Sequence, residues 1–174
     1  YSLNASSLDE SVVIELLLNK NDKDFPDVAV VISDVENLKR NLLLFTQIKD
    51  LNIPSVLVIN MSDVMKRKGI SINAEVLEMH LGTKVIMYSS REKKGLSELK
   101  TVITNYQKLE TKQCLDIINI DSEYFESLKK TFPDQSIYKL WLVITQDVNF
   151  GNLDREIVKD SSTFQTKSVS YLKR

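Results

Sequence analysis

Nearly continuous runs of branched apolar residues alternate with segments whose apolar positions recur at helical spacing. Val28–Ile32 and Ser55–Ile59 are two such runs of strand length, and Lys84–Tyr88 is a third candidate strand. Continuous apolar runs, rather than alternating ones, are typical of parallel strands that are buried on both faces. We therefore predict two strands buried in this way and a third beside them.

The segments between the strands predict helices. A helical apolar pattern begins near Leu8 and again near Leu96. Three more helices are predicted over Glu36–Leu51, Val64–Lys68 and Ala74–Leu81, the last with Asn73 as its N-cap and Gly82 at its C-terminus. Strands that alternate with helices indicate an α/β fold, a parallel sheet with right-handed crossovers and flanking helices.

The pattern changes after about residue 110. Glu123–Phe132 predicts a helix that ends at Pro133, whereas Ile137–Val148 fits either a helix or a strand. Gly151–Thr163 is polar and reads as a loop, and Gln165–Arg174 begins a further helical pattern. We therefore expect two parts, an α/β part over residues 1–110 and a mainly helical extension over residues 111–174.

Composition narrows the class of protein. The 174 residues carry a net charge of −1, with 43% apolar and 27% charged residues, which is typical of a globular protein and gives no basic surface for nucleic acid. One cysteine, Cys114, and one histidine, His80, exclude an internal disulfide and a thiolate or imidazole zinc site. No apolar run approaches the ~20 residues that cross a bilayer.

Candidate chemistry lies where the predicted strands end, because parallel sheets bind ligands outside the carboxyl ends of their strands. Asn60-Met61-Ser62-Asp63 follows the second strand, and a carboxylate there can accept both N–H groups of the guanine N1 and N2 edge. Asn60 would brace the loop by bonding neighbouring backbone. Ser89-Ser90-Arg91 follows the third strand, where backbone N–H groups can reach a base carbonyl such as guanine O6. Taken singly, the first stretch is better explained as a strand-end turn in which Asp63 caps the next helix, and the second as a polar loop, whereas the two together are more informative.

No phosphate-binding motif accompanies these loops. The chain contains only four glycines and no G-x-x-x-x-G-K-[ST] stretch. It begins at Tyr1 without an initiator methionine, so we expect a fragment or a cleavage product. We also identify no catalytic and no metal-ligating residue.

The order of these motifs resembles the cytosolic part of the ferrous iron transport protein B (FeoB) family. Pro26-Asp27-Val28 with Asp34, then Asn37-Leu38-Lys39-Arg40-Asn41-Leu42, is similar to the family's P-D-x-x-x-x-V-x-D and N-L-x-R-N-L run. Asn60–Asp63 is similar to its N-M-x-D guanine motif and Ser89–Arg91 to its S-A-R base loop, with Ser90 in place of alanine. Tyr1-Ser2-Leu3 resembles the segment that follows the family's D-x-P-G motif.

The resemblance implies a GTP-binding domain without its phosphate-binding segment, followed by part of a helical domain that acts on nucleotide release. The parent would bind GTP or GDP with Mg²⁺ and hydrolyse GTP to drive or gate Fe²⁺ uptake at the cytoplasmic face of the bacterial inner membrane. The guanine base would contact the residues of the two loops, namely Asn60, Met61, Asp63, Ser89, Ser90 and Arg91. Tyr1, Ser2 and Leu3 would be a switch remnant. The chain alone would be soluble, would hold no nucleotide or Mg²⁺ and would not hydrolyse GTP.

An alternative from a different class is a protein-interaction or regulatory module that binds no nucleotide. A sheet without the strand that carries the phosphate loop would expose a strand edge. Exposed edges invite pairing with another chain, so self-association is a further expectation.

Overall fold

A computed structural model describes residues 8–146 and 153–161. Three strands form one parallel sheet in the order β1-β2-β3: β1 is Ala29–Asp34, β2 is Ser55–Asn60 and β3 is Val85–Met87. The register places Asp34 beside Asn60 and Ile59 beside Met87, so the carboxyl ends of the strands meet at one edge. The predicted parallel sheet is confirmed.

Helices account for most of the remaining described residues. They are α1 (Leu8–Leu18), α2 (Leu38–Asp50), α3 (Ser62–Lys68), α4 (Ala74–Leu81), α5 (Leu96–Thr104), a 3₁₀ turn (Tyr106–Lys108), α6 (Ser122–Thr131), α7 (Ile137–Gln146) and α8 (Arg155–Ser161). The predicted caps of α4 are present, since the Asn73 side chain accepts a hydrogen bond from the Val76 N–H and Gly82 takes a left-handed φ of 57°.

In the C-terminal part, the structure resolves one ambiguous prediction and corrects another. The ambiguous stretch from Ile137 is the helix α7. The prediction of a loop over Gly151–Thr163 is wrong for its described part, because α8 forms there with Asp154 accepting a hydrogen bond from the Ile157 N–H at 2.8 Å. The polar composition of this stretch hid a short helix with a side-chain cap. The pattern over Gln165–Arg174 lies outside the described residues.

Both faces of the sheet carry apolar side chains, but they are not equally covered. One face packs under α2, α3 and α4 around Phe45 and Leu57. On the other face Val58 and its neighbours in β2 and β3 pack against α5. The prediction that both strands are buried on both faces holds for β2 and is wrong for β1, where Ile32 is 65% exposed. In the described part of the chain, the helix α5 covers β2 and β3 but does not reach this face of β1.

The chain groups into two compact units. The first comprises Lys23–Cys114 and contains the sheet, and the second contains the described residues of 4–22 and of 115–174. The second unit has its own apolar core, in which Tyr124, Phe125 and Leu140 are almost fully buried. The predicted boundary after residue 110 stays a prediction. Among the described residues, no helix combines the length and the apolar character needed to span a membrane.

Candidate functional site

The loops that follow β2 and β3 are held side by side at the carboxyl edge of the sheet. The Tyr88 N–H donates to the Ile59 carbonyl at 2.8 Å, which extends the pairing of the strands by one residue. The Ser62 N–H then donates to the Tyr88 carbonyl at 3.1 Å. The two stretches that the sequence singled out therefore form one surface.

Met61 makes the turn from β2 into α3. Its backbone is left-handed, with a φ of 63°, and its carbonyl accepts hydrogen bonds from the N–H groups of Val64 and Met65 at 2.9 and 3.1 Å. Its side chain is exposed. Because the chain turns sharply here, Asp63 falls in the first turn of α3, where the helix dipole favours a carboxylate.

Both carboxylate oxygens of Asp63 have partners at this edge. Its Oδ1 accepts a hydrogen bond from the Ser89 hydroxyl at 3.0 Å, and its Oδ2 lies 3.4 Å from the Arg67 guanidinium. Partial desolvation raises the pKa of Asp63, but the bonds from Ser89 and from nearby backbone N–H groups, together with Arg67, outweigh it. The net pKa lies below the usual 3.8, so the carboxylate is ionised at neutral pH and only accepts hydrogen bonds.

The loop after β3 closes on itself through Ser89. Its N–H donates to the Lys94 carbonyl at 3.2 Å and its carbonyl accepts the Lys94 N–H at 3.1 Å. Its hydroxyl also accepts the Glu92 N–H at 3.1 Å. The residues at the tip, Ser90 and Arg91, are exposed, and their N–H groups make no hydrogen bond in the described part of the chain. The loop therefore presents two backbone donors on a fixed frame.

Gly95 allows this loop to lie against β3. Its φ is +84°, and a Cβ built at this position would lie 2.6 Å from the Met87 carbonyl oxygen. Contacts this close do not occur between real Cβ atoms and backbone oxygens. Any larger residue would push the loop away from the end of β3.

Asn60, the last residue of β2, has a buried carboxamide oxygen that accepts no hydrogen bond within the described residues. The sequence led us to expect that Asn60 bonds neighbouring backbone, and its side-chain oxygen accepts no such bond within the described residues. Buried polar atoms without a partner are uncommon and costly, and they call for a physical explanation. At the carboxyl edge of the sheet, this oxygen is an acceptor without a partner among the described residues.

Asp34 ends β1 at the same edge, but its carboxylate oxygens already accept hydrogen bonds from Asn37. Its Oδ1 accepts the Asn37 N–H at 2.8 Å, and the Asn37 side-chain amide donates to both of its oxygens. These bonds, led by that of the Asn37 side chain, hold the pKa of Asp34 below its usual 3.8. Asp34 therefore shapes the start of α2.

The structure brings together all six residues predicted from the two loops. Tyr1, Ser2 and Leu3 lie outside the described residues. Sequence reasoning missed the Ser89 side chain, because it considered only the backbone of this loop. The available signal was the spacing Ser89-x-x-Glu92, in which a hydroxyl accepts the N–H three residues later, as at a helix N-cap.

Comparison with known proteins places these loops in a family. A family model described as ferrous iron transport protein B matches residues 1–103. The chain belongs to the FeoB family. The Fe(2+) transporter FeoB of Helicobacter pylori is 31% identical over 142 residues, which is 80% of this chain and 22% of that protein. The chain spans between 13% and 22% of the length of the curated FeoB relatives that it matches.

Solved structures agree with this assignment. The FeoB G-domain from Methanococcus jannaschii is 37% identical, with a TM-score of 0.56, and the match covers 62% of this chain and 67% of that one. The cytosolic domain of the T. maritima FeoB iron transporter in apo form is 24% identical, with a TM-score of 0.79, over 99% of this chain and 69% of that one. The same FeoB domain is also known in a GMPPNP form, with a TM-score of 0.78. The first unit thus has the fold of a FeoB G-domain.

Proposed function

We propose that the edge formed by Asn60–Asp63 and Ser89–Arg91 recognises a guanine base within the GTP-binding part of an Fe²⁺ transporter. The observation that carries the proposal is the Asp63 carboxylate, which is ionised and fixed by Ser89 beside two unpaired backbone donors. The family assignment and the GMPPNP form of the T. maritima relative support it.

Guanine presents two adjacent donors, the N1–H and the N2 amino group, and one acceptor, O6. Asp63 would accept the two donors, and the N–H groups of Ser90 and Arg91 would donate to O6. Adenine offers no such donor pair, so its binding would leave the carboxylate without partners. Hydrogen bonds to charged groups contribute about 1.5–3 kcal/mol each, which is enough to discriminate between the two bases.

Asn60 and Met61 complete the proposed base site. The unpartnered Asn60 carboxamide oxygen would accept a donor of the nucleotide or of a segment beyond the described residues. The exposed Met61 side chain would lie against the base as a flexible apolar contact. Its position matches that of lysine in many small GTPases, and a thioether supplies packing without the charge.

The proposed GTP hydrolysis is a reaction of the longer protein. We propose that this protein hydrolyses GTP at the cytoplasmic face of the bacterial inner membrane and couples hydrolysis to Fe²⁺ uptake. Phosphoryl transfer depends on groups that hold the β- and γ-phosphates, and Asp63 would contribute only base selection. The described residues contain no cluster of three or more His, Cys, Asp or Glu side chains that suits a metal ion.

The base site is testable in this chain without phosphate contacts. We would titrate the ¹⁵N-labelled protein with GMP and with AMP at about 1–10 mM, since a Kd of 1 mM corresponds to only about 4 kcal/mol. GMP should shift the amides of residues 60–63 and 89–91, and AMP should not. Equal shifts with both nucleotides, or GMP shifts elsewhere, would contradict the proposed site. The same comparison of GDP with ADP in the full-length protein extends the test to the intact site.

A second candidate function, self-association, is favoured by the free edge of the sheet. Among the described strands β1 pairs on one side only, and Val30 and Ile32 on its outer face are exposed. Light scattering at high protein concentration would detect a dimer, and Ile32→Lys should then return the chain to a monomer because a charge blocks edge pairing. A wild-type monomer under these conditions argues against this function.

A further inference from the structure

The end of α2 buries two consecutive charged residues in the first unit. Lys49 is 1% exposed and Asp50 is 4% exposed. Burying a charged group costs several kcal/mol unless hydrogen bonds and an opposite charge compensate. Their partners therefore indicate what these two residues do.

Lys49 bonds to two segments that are distant in sequence. Its ammonium group donates to the Gly82 carbonyl, at the C-terminus of α4, and to the Glu110 carbonyl at 3.1 Å. A Cβ at Gly82 would lie 3.3 Å from the ammonium nitrogen and 3.2 Å from the Glu110 carboxylate, so glycine leaves room for this junction. One buried cation thus joins α2, α4 and the segment that follows α5.

Asp50 holds the far end of the same segment. Its Oδ1 accepts the N–H of Cys114, and its carbonyl accepts the side-chain amide of Gln113 at 2.7 Å. We call residues 109–114 the connector, since the first unit ends at Cys114. At its start, Leu109 packs against the core between the sheet and α5.

Apart from these bonds to Lys49 and Asp50 and the packing of Leu109, few interactions hold the connector in place. Residues 110–114 form no helix or strand, and their N–H and carbonyl groups make no backbone–backbone hydrogen bond in the described part of the chain. Cavities of 470 and 320 Å³ adjoin it, and Glu110 lines both. A segment that is held by a few side-chain bonds and borders water can open locally while the sheet stays folded.

The N-terminal end of α2 lies at the same edge of the sheet as the candidate base site, since Asp34 pairs with Asn60 in the strand register. Asp34 bonds Asn37 ahead of the helix, and Asn41 in its first turn donates to the buried Ser33 hydroxyl at 3.1 Å. The 13 residues of α2 span about 20 Å at 1.5 Å per residue. A single rigid element therefore links the carboxyl edge of the sheet to the connector.

We propose that Lys49 and Asp50 form a latch that clamps the connector to α2, fixes where the chain leaves the first unit, and opens without unfolding the sheet. A displacement of α2 at the base-site end would strain the latch bonds at its other end. The latch would thereby give the first unit a way to change the path of the chain that follows it. This inference does not depend on which base the edge binds.

Hydrogen exchange of the 174-residue chain tests the latch. Lys49→Met keeps the apolar stem and removes the cation, and Lys39→Met makes the same change at an exposed position of the same helix. The Cys114 N–H is the amide of the connector that a latch bond protects, and we expect its exchange to accelerate about tenfold or more in Lys49→Met, as for the loss of a hydrogen bond to a charged group. Exchange in β2 should stay near the wild-type rate, and Lys39→Met should change neither.

Gln113→Ala is a second test of the latch, in case Lys49→Met destabilises the whole first unit. Gln113 is exposed, so its truncation spares the core, yet it removes one latch bond. We expect a severalfold faster exchange confined to the connector. The proposal is overturned if Gln113→Ala and Lys49→Met leave connector exchange unchanged, or if both accelerate β2 and the connector equally.

Discussion

The hydroxyl of Ser89 donates a hydrogen bond to Oδ1 of Asp63 at 3.0 Å, across 26 residues of sequence. Ser89 is fully buried and the Asp63 side chain is 10% exposed, so the bond lies at the boundary between the core and the carboxyl edge of the sheet. It fixes Oδ1 of the carboxylate, while Oδ2 lies 3.4 Å from the Arg67 guanidinium. The two loops are thereby oriented before any ligand binds.

Ser89→Ala should therefore destabilise the first unit. The change removes the donor to Asp63 and the acceptor of the Glu92 N–H in one step. Leaving a buried polar group without its partner costs about 1–3 kcal/mol. Hydrogen exchange of the β2 amides, which report on opening of the whole unit, measures the loss. Ser90→Ala, at the exposed neighbour, should change stability by less than about 0.5 kcal/mol. Equal effects of the two substitutions would contradict the structural role of Ser89.

The titration of Asp63 should depend on the same bond. The folded-state pKa lies below 3.8, so the charged form stabilises the fold above this value, and that stabilisation is lost as the pH falls through the folded-state pKa. We expect the ¹³Cγ resonance of Asp63 to titrate below pH 3.8 in the wild type and at a higher pH in Ser89→Ala. A wild-type midpoint at or above 3.8 would show that desolvation outweighs the hydrogen bonds.

The sheet and the loops could be predicted from local sequence patterns, because strand burial and helix caps depend on residues that are close together in the sequence. The apolar run of β2 reflects burial on both faces, and the caps of α4 at Asn73 and Gly82 depend on neighbouring residues only. The exposed face at Ile32 could not be predicted, because the sequence of a strand does not state which layer covers it. The bond between Ser89 and Asp63 also needed the fold, since only the sheet register brings the two loops together.

A pair of glycine substitutions should separate backbone strain from steric exclusion. Gly69 and Gly95 both have positive φ, but a Cβ at Gly69 meets nothing within 4 Å, whereas one at Gly95 meets the Met87 carbonyl at 2.6 Å. Gly69→Ala should cost about 1–2 kcal/mol for the left-handed backbone alone. Gly95→Ala should cost about 1–3 kcal/mol more, because the loop must shift.

Hydrogen exchange of the β2 amides measures both substitutions on one scale. Amide shifts over residues 89–91 should accompany Gly95→Ala and be absent from Gly69→Ala. Equal costs, with no shift in that loop, would mean that the loop does not depend on its contact with β3.

The base specificity that we propose for Asp63 gives the sharpest prediction, because one atom of the side chain would decide it. Asp63→Asn replaces two acceptors by one acceptor and one donor, and Ser89 can still donate to the remaining oxygen. Guanine then loses a hydrogen bond at its N2 amino group. Xanthine, which carries a carbonyl at C2, gains one from the new amide. We expect GMP to bind about tenfold or more weakly, since a bond to a charged group contributes about 1.5–3 kcal/mol, and XMP to bind more tightly than GMP.

The titrations used for GMP and AMP measure this change in preference, with Asp63→Ala as the control that should lose selectivity without gaining xanthine. A variant that gains XMP binding retains its loop geometry, so the loss of GMP cannot then be ascribed to misfolding. Unchanged selectivity for GMP in Asp63→Asn would instead exclude Asp63 from base recognition. The shifted amides would then have to identify another acceptor, and the unpartnered Asn60 oxygen is the first that we would replace.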